Sequence, residues 1–249
     1  MAAEKAIVLV LRVIDFSETS LVLTLFSREF GKLRALAKGG RRPKGPFDSA
    51  LDLLNVCRIV FLRKSSDALD LLTEAKLERR FRAAARDLSS LYAGYYVAEL
   101  LNELTDDYDP HPKLFDAARD TLAALGSGEG SVAGHVLRFE LTALTLLGHL
   151  PSLAACAECG TAVSADGRVA FGLLAGGVLC ARCRPGKKFV VSISGDALRM
   201  LQRFAAESWS PESPDRRVYG ELRGVLNQYL HHLLGHRPKL HGYLGILSG

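Results

Sequence analysis

Apolar and polar positions alternate with a period of two through roughly the first 80 residues, then recur with a helical period. Residues 5–15 read as a strand, with Ile7, Leu9 and Leu11 alternating against Val8, Val10 and Arg12. A polar gap at 15–18 leads to a second run at 19–26, and Gly31 turns the chain into a third at 32–38. In that third run Lys32, Arg34, Leu36 and Lys38 share one face, and Leu33, Ala35 and Ala37 share the other. One face is therefore basic and the other suits a small, tight core. Further runs at 53–62 and 68–75 complete five strands before any helical pattern, which fits a small β-barrel. An OB-fold is the leading expectation, because its strand 2–3 face commonly binds nucleic acid. An SH3-like barrel gives nearly the same pattern.

From about residue 79 the stripe Leu88, Leu91, Tyr92, Tyr95, Ala98 and Leu101 predicts a long helix. Its tyrosines read as helix packing rather than a stacking platform. A break rich in Asp and Pro spans 106–112. A second helix carries Leu114, Phe115, Ala118, Leu122 and Leu125 and stops at Gly126. Val132, Val136, Phe139, Ala143, Leu146 and Leu147 mark a third, ended by Gly148 and Pro151. Ser194 is placed to cap a fourth through Leu198, Leu201 and Phe204. A fifth runs from Val218 through Leu222 and Tyr229 to Gly235. The predicted class is α+β: an OB-fold barrel over 1–80, then a helical domain over 81–249 whose bundle is interrupted by a small insertion at 154–190.

That insertion holds the most specific pattern in the chain. Cys156-Ala157-Glu158-Cys159 and Cys180-Ala181-Arg182-Cys183 are two CxxC pairs separated by twenty residues, a spacing that fits a four-cysteine zinc site. Each pair makes a turn presenting two thiolates, and two such turns close a tetrahedron around one structural Zn2+. Gly160, Gly176 and Gly177 suit the knuckles and the hairpin, and Val163, Val169, Phe171, Leu173 and Val178 supply a small sheet between the pairs. The alternatives are two disulfides or a redox pair, but the βαβ context that a redox motif needs is missing. Cys57, in an apolar run, reads as a buried strand residue.

The formal charge of +5 sharpens this picture through its location. Residues 1–80 hold 15 Lys or Arg against 10 Asp or Glu, whereas residues 81–249 hold 17 of each. The asymmetry points to a polyanion partner for the barrel. The loop Lys38-Gly39-Gly40-Arg41-Arg42-Pro43-Lys44 concentrates four cations without an acid, and such a loop brings backbone N–H groups and guanidinium forks to phosphates. Lys32, Arg34, Lys38, Arg41, Arg42 and Lys44 are accordingly the candidate phosphate-contacting residues. Phe30 and Phe47 are candidate stacking aromatics that suit a core equally well.

Candidate chemistry elsewhere is sparse. No P-loop, HExxH, GxSxG or dinucleotide fingerprint occurs, so no enzyme is predicted. Asp106, Asp107 and Asp109 are the only acidic trio worth testing as a nuclease site, and they fall in a Pro-flanked loop. His231, His232, His236 and His241 read as residues of a helix C-terminus rather than metal ligands. With 48% hydrophobic residues and no apolar segment of spanning length, a cytoplasmic location with reduced thiols is expected.

The order of a basic-loop barrel, helices, Phe139-Glu140, Leu147-Gly148, Pro151, Leu153, and the two CxxC pairs resembles the bacterial DNA repair family RecO. The Gly40-Arg41-Arg42 segment looks like that family's counterpart after its third strand, and the tail from Arg237-Pro238-Lys239-Leu240 is similar too. A serine usually follows that step in the family, where this chain has His241-Gly242. The resemblance implies a nucleoid-associated recombination mediator that binds single- and double-stranded DNA and anneals complementary strands. It further implies contacts with the C-terminal tail of single-strand-binding protein and with RecR, and indirectly the loading of RecA. The competing reading is a zinc-ribbon adaptor that binds proteins only.

Overall fold

The computed structural model describes residues 3–42, 45–47, 50–64, 68–83, 88–206, 215–240 and 242–243. Two compact units emerge, Met1–Gly128 and Glu129–Gly249. Among the described residues no helix is long and apolar enough to cross a membrane.

The first unit is built on five strands: β1 (Ala3–Asp15), β2 (Leu21–Ser27), β3 (Gly31–Ala37), β4 (Val56–Leu62) and β5 (Asp70–Arg79). They close into a barrel in the order β1-β2-β3-β5-β4. β1 is long enough to serve two neighbours. Its N-terminal half pairs with β4 and its C-terminal half with β2, with a bulge between Val10 and Arg12 that bends the strand from one partner to the other. A short parallel pairing, Ala35↔Asp70 to Ala37↔Leu72, closes the ring between β3 and β5. This is the OB-fold arrangement. Val8, Val10, Leu23, Leu25, Leu33, Ile59, Phe61 and Leu72 fill the interior, together with the small Ala35 and Ala37 of β3 and Phe47 from the loop that follows it. Cys57 is fully buried; burial pushes its thiol up to about 12, and its Sγ donates to the Ala50 carbonyl at 3.1 Å. It is a core residue, as its run suggests.

The helical segment divides between the two units. α1 (Leu88–Leu104) and α2 (Pro112–Ser127) lie in the barrel's unit, where α1 packs on β1 and α2 on β2. Phe26 meets Phe115 with ring centroids 6.3 Å apart, and Arg28 forks onto Asp116. Gly31 lets this packing close: at φ 72, a Cβ there would fall 2.1 Å from the Asp109 carbonyl oxygen. The second unit contains α3 (Val132–Leu146), the ribbon, α4 (Gly195–Ala205) and α5 (Arg216–Leu234). Ser131 and Ser194 cap α3 and α4 through their hydroxyls. A buried Glu140–Arg223 pair joins α3 to α5.

Candidate nucleic-acid interface and metal centre

The ribbon's sheet has the order β7-β6-β8, with β6 (Arg168–Gly172), β7 (Gly177–Leu179) and β8 (Val190–Ser194). Val163 and Leu173 lie outside these strands, and β8 completes the sheet from beyond the second cysteine pair. Each CxxC pair forms a knuckle. In the first, the Gly160 amide donates to the Cys156 carbonyl (2.9 Å), with Gly160 at φ 70. In the second, the amides of Cys183 and Arg184 donate to the Cys180 carbonyl at 3.1 and 3.0 Å. The Ala157 amide donates to the Val178 carbonyl (2.9 Å), which fixes the first knuckle to β7. Gly177 is needed where β7 passes Ser152, since a Cβ there would lie 2.3 Å from the Ser152 oxygen.

This scaffold brings the four sulfurs within 4.8 Å of one another, and Cys159 Sγ lies 3.8 Å from Cys180 Sγ. A tetrahedral zinc with Zn–S bonds of about 2.3 Å has S···S edges of about 3.8 Å, so the cluster fits that ion. All four cysteines are free rather than disulfide-bonded. Backbone amides of Cys180 and Cys159 donate to the Cys156 sulfur and draw its pKa down to about 6. Cys183 is pushed up to about 12 because its S–H is held by hydrogen bonds to the sulfurs of Cys159 and Cys180. A dication bound here would take all four sulfurs as thiolates. Among the described residues these cysteines are the one His/Cys/Asp/Glu group close enough to hold a metal. His231 and His232 occupy the last turn of α5, and His241 lies outside the described residues.

The predicted basic face of β3 is divided. Lys32 is buried, and its ammonium donates to the carbonyls of Asn102 (2.8 Å) and Thr105 (2.5 Å) at the C-terminal end of α1. Those carbonyls lack intrahelical partners, and a cation suits the negative end of the helix dipole. Burial lowers the Lys32 pKa, opposed by the nearby Asp107 carboxylate. The expectation that Lys32 meets phosphate is therefore corrected: it anchors α1 to the barrel. Arg34 remains exposed and pairs with Asp107 at 3.2 Å. Asp107 is thus engaged with barrel cations, and Asp109 with His111 at 2.9 Å, so the acidic trio does not converge on one point.

The described cations of the loop after β3, Lys38, Arg41 and Arg42, are at the surface. Two turns close it, with Gly40 N–H to Ala37 O (3.2 Å) and Arg42 N–H to Gly39 O (3.0 Å). Arg41 reaches the β1–β2 turn: its amide donates to the Thr19 carbonyl (3.0 Å), and its guanidinium donates to the Ser17 carbonyl and pairs with Asp15, both at 3.3 Å. An exposed pair of this kind contributes little and exchanges readily for phosphate. Lys38 and Arg42 are exposed with no ion pair among the described residues. Lys44 lies outside the described residues.

The aromatic candidates change places. Phe47 is core, and Phe30 packs edge-on against Phe61 at 5.5 Å. The exposed aromatic of the β1–β2 turn is Phe16, 65% accessible and set between Asp15 and Ser17, the two residues that Arg41 contacts. Its signal in the sequence is an aromatic set in a polar gap, Asp15-Phe16-Ser17-Glu18, where a strand core has no use for it.

Comparison with known proteins covers most of the chain. The family model described as "Recombination protein O N terminal" matches residues 1–81, and the one described as "Recombination protein O C terminal" matches residues 85–241. The "DNA repair protein RecO" of Rhodopirellula baltica is 45% identical, with 95% of this chain and 97% of the relative covered. Its namesake in Myxococcus xanthus is 34% identical, over 93% and 92%. That of Moorella thermoacetica is 30% identical, over 97% and 90%. A basic OB-fold, a four-cysteine ribbon and this end-to-end similarity converge: the chain belongs to the RecO family of DNA repair proteins.

Proposed function

We propose that the protein is a non-enzymatic recombination mediator of DNA repair that binds single- and double-stranded DNA and anneals complementary strands. The observation that carries this reading is the exposed basic loop after β3, whose Arg41 meets Asp15 and Ser17 on either side of the exposed Phe16 in the β1–β2 turn. Arg34, Lys38 and Lys44 extend its charge along the strand and loop. Cations of this kind replace the counterions condensed on a strand, while a stacking ring takes bases without selecting among them. Two strands held on such a surface no longer repel each other fully, and base pairing supplies the free energy of annealing. No nucleotide hydrolysis is required.

In this reading one structural Zn2+ per chain holds the ribbon through Cys156, Cys159, Cys180 and Cys183. The protein works in the cytoplasm at the nucleoid. The helical domain receives the acidic tail of single-strand-binding protein, and contact with RecR leads on to RecA loading. The test is annealing of labelled complementary strands without ATP, bare and coated with the cognate single-strand-binding protein. Wild type is expected to accelerate both, and Arg41→Ala/Arg42→Ala to lose most of that acceleration. A wild type no faster than protein-free controls on bare strands overturns the annealing reading. Acceleration of bare strands alone overturns only the tail contact.

A further inference from the structure

The ribbon carries a cationic groove that the barrel reading leaves unused. Between Cys180 and Asp196 the chain holds Arg182, Arg184, Lys187 and Lys188 and no carboxylate. A groove of about 920 Å3 opens beside the second knuckle along β6 and β8, with Arg168, Arg184, Lys187 and Phe189 in its walls and Asp166 as its one acid. That volume is in the range of ligand-sized clefts, roughly 300–1,000 Å3. Arg168 is paired with Glu221 at 3.2 Å and Lys187 with Glu158 at 2.7 Å. The Lys187–Glu158 pair is more than a third exposed on both sides, so a phosphate can displace the carboxylate. Arg184 has no ion pair among the described residues.

Phe189 distinguishes this groove from an ordinary solvated basic surface. The residue is 56% exposed, and its backbone sits at φ 54, in the left-handed region that a bulky side chain rarely adopts. The pose is held from several sides. The Leu173 amide donates to the Phe189 carbonyl at 2.9 Å, β8 begins at the next residue, and the ring meets His232 at 5.1 Å between centroids. An unfavourable backbone pose that keeps an aromatic in solvent gains nothing for a core; such poses concentrate where a ligand is met. An aromatic face beside cations is the arrangement by which single strands are bound, with bases on the ring and phosphates on the charges.

We propose that this groove is a second single-stranded nucleic-acid site, in which a base stacks on Phe189 while Arg184 and Lys187 take the flanking phosphates. The proposal rests on the DNA-binding reading above. The presented ring favours a ligand with a flat π face in every unit over an acidic peptide, which the cations alone would satisfy.

The experiment measures binding of an oligothymidine, and of an abasic strand of equal length, to the full chain in an Arg41→Ala/Arg42→Ala background. Phe189→Ala is expected to weaken oligothymidine binding about fivefold or more and to leave the abasic strand unchanged. Phe189→Trp is expected to keep the affinity and to show emission quenched by oligothymidine beyond the background of Trp209, the chain's one tryptophan. Arg184→Ala/Lys187→Ala is expected to weaken both strands. Metal content equal to that of the parent verifies that each variant keeps its ribbon. Unchanged binding of both strands by Phe189→Ala and by Arg184→Ala/Lys187→Ala overturns the site and leaves the barrel reading intact. So does a background that binds neither strand when wild type binds. Equal weakening of both strands by Phe189→Ala and Phe189→Trp overturns stacking on the ring. A wild type that binds no strand overturns the DNA-binding reading itself.

Discussion

The barrel and the ribbon are both small sheets bearing cations, but their cysteines show how differently they are stabilised. Cys57 lies among Val8, Ile59 and Phe61 in a closed barrel, its thiol pushed up to about 12 by burial. Cys156, also buried, has its sulfur drawn down to about 6 by backbone donors. The barrel has five strands, no unpaired edge, and enough apolar volume that a cysteine serves there as one more hydrophobe. The ribbon has strands of five, three and five residues around Val169, Phe171, Val178 and Ile193. So little apolar surface does not offset the entropy of ordering its knuckles. The same residue type is a core hydrophobe in the barrel and one of four sulfurs spaced to hold a metal in the ribbon.

The largest effect that follows is asymmetric loss of structure. Chelation of the metal, or Cys180→Ser, is expected to abolish hydrogen-exchange protection across the ribbon while the barrel amides of β1–β5 stay protected. Binding of a structural zinc is worth roughly 10–16 kcal/mol in isolated zinc-finger peptides, more than a sheet of this size replaces. A metal-free ribbon that keeps its protection would erase the contrast between the two sheets.

Next in size is the anchor of the barrel's unit. Lys32→Ala leaves the Asn102 and Thr105 carbonyls without their ammonium partner and is expected to cost about 2–3 kcal/mol, read as a lower urea midpoint. Its effect on DNA affinity should be small, because the side chain is not at the surface. A stable Lys32→Ala protein with weakened DNA binding would return Lys32 to the interface.

A smaller effect belongs to the ribbon's own anchor. Glu221 accepts from the Ser194 amide at 2.6 Å and pairs with Arg168, so its pKa is lowered, first by that backbone donor. A carboxyl depressed in the folded state stabilises above its unfolded value of 4.5, and that stabilisation is lost as pH falls through the folded value. Glu221→Gln is expected to cost about 1–2 kcal/mol at neutral pH and to flatten the acid limb of the stability curve. An acid limb identical to wild type would show that Glu221 does not set it.

What the sequence reveals and conceals follows the same division between local and distant causes. Strand alternation, the Ser194 cap, the Gly235 stop and the CxxC spacing are local signals, and the strands, α4, the end of α5 and the cysteine cluster follow them, whereas α2 runs past the expected stop at Gly126 to Ser127, with Gly128 as its left-handed cap. The surface that each helix covers is not local. The stripe on α1 shows that it buries a face, but not that this face meets β1 or that the helix end takes Lys32 from the basic side of β3. Period-two alternation placed Lys32 with Arg34 and Lys38 because sidedness is all that it encodes. The stacking candidates exchanged roles for a related reason: proximity in sequence favoured Phe30 and Phe47, whereas the turn that carries Phe16 meets the loop after β3 only through the contacts of Arg41 with Ser17 and Thr19. Asp70, buried at the barrel seam, and the strained Phe189 likewise depend on partners far away in the chain.

The central claim is that the exposed loop of the barrel, and not the buried end of β3, holds the DNA strand. The measurement that tests it most directly is the salt dependence of single-strand binding for wild type, Arg41→Ala/Arg42→Ala and Lys32→Ala. Each phosphate contact on a single strand contributes about 0.7 to the slope of log affinity against log salt. The double variant is expected to lose about 1.4 from that slope while Lys32→Ala keeps the wild-type value. An unchanged slope in the double variant, or a reduced one in Lys32→Ala, would contradict it.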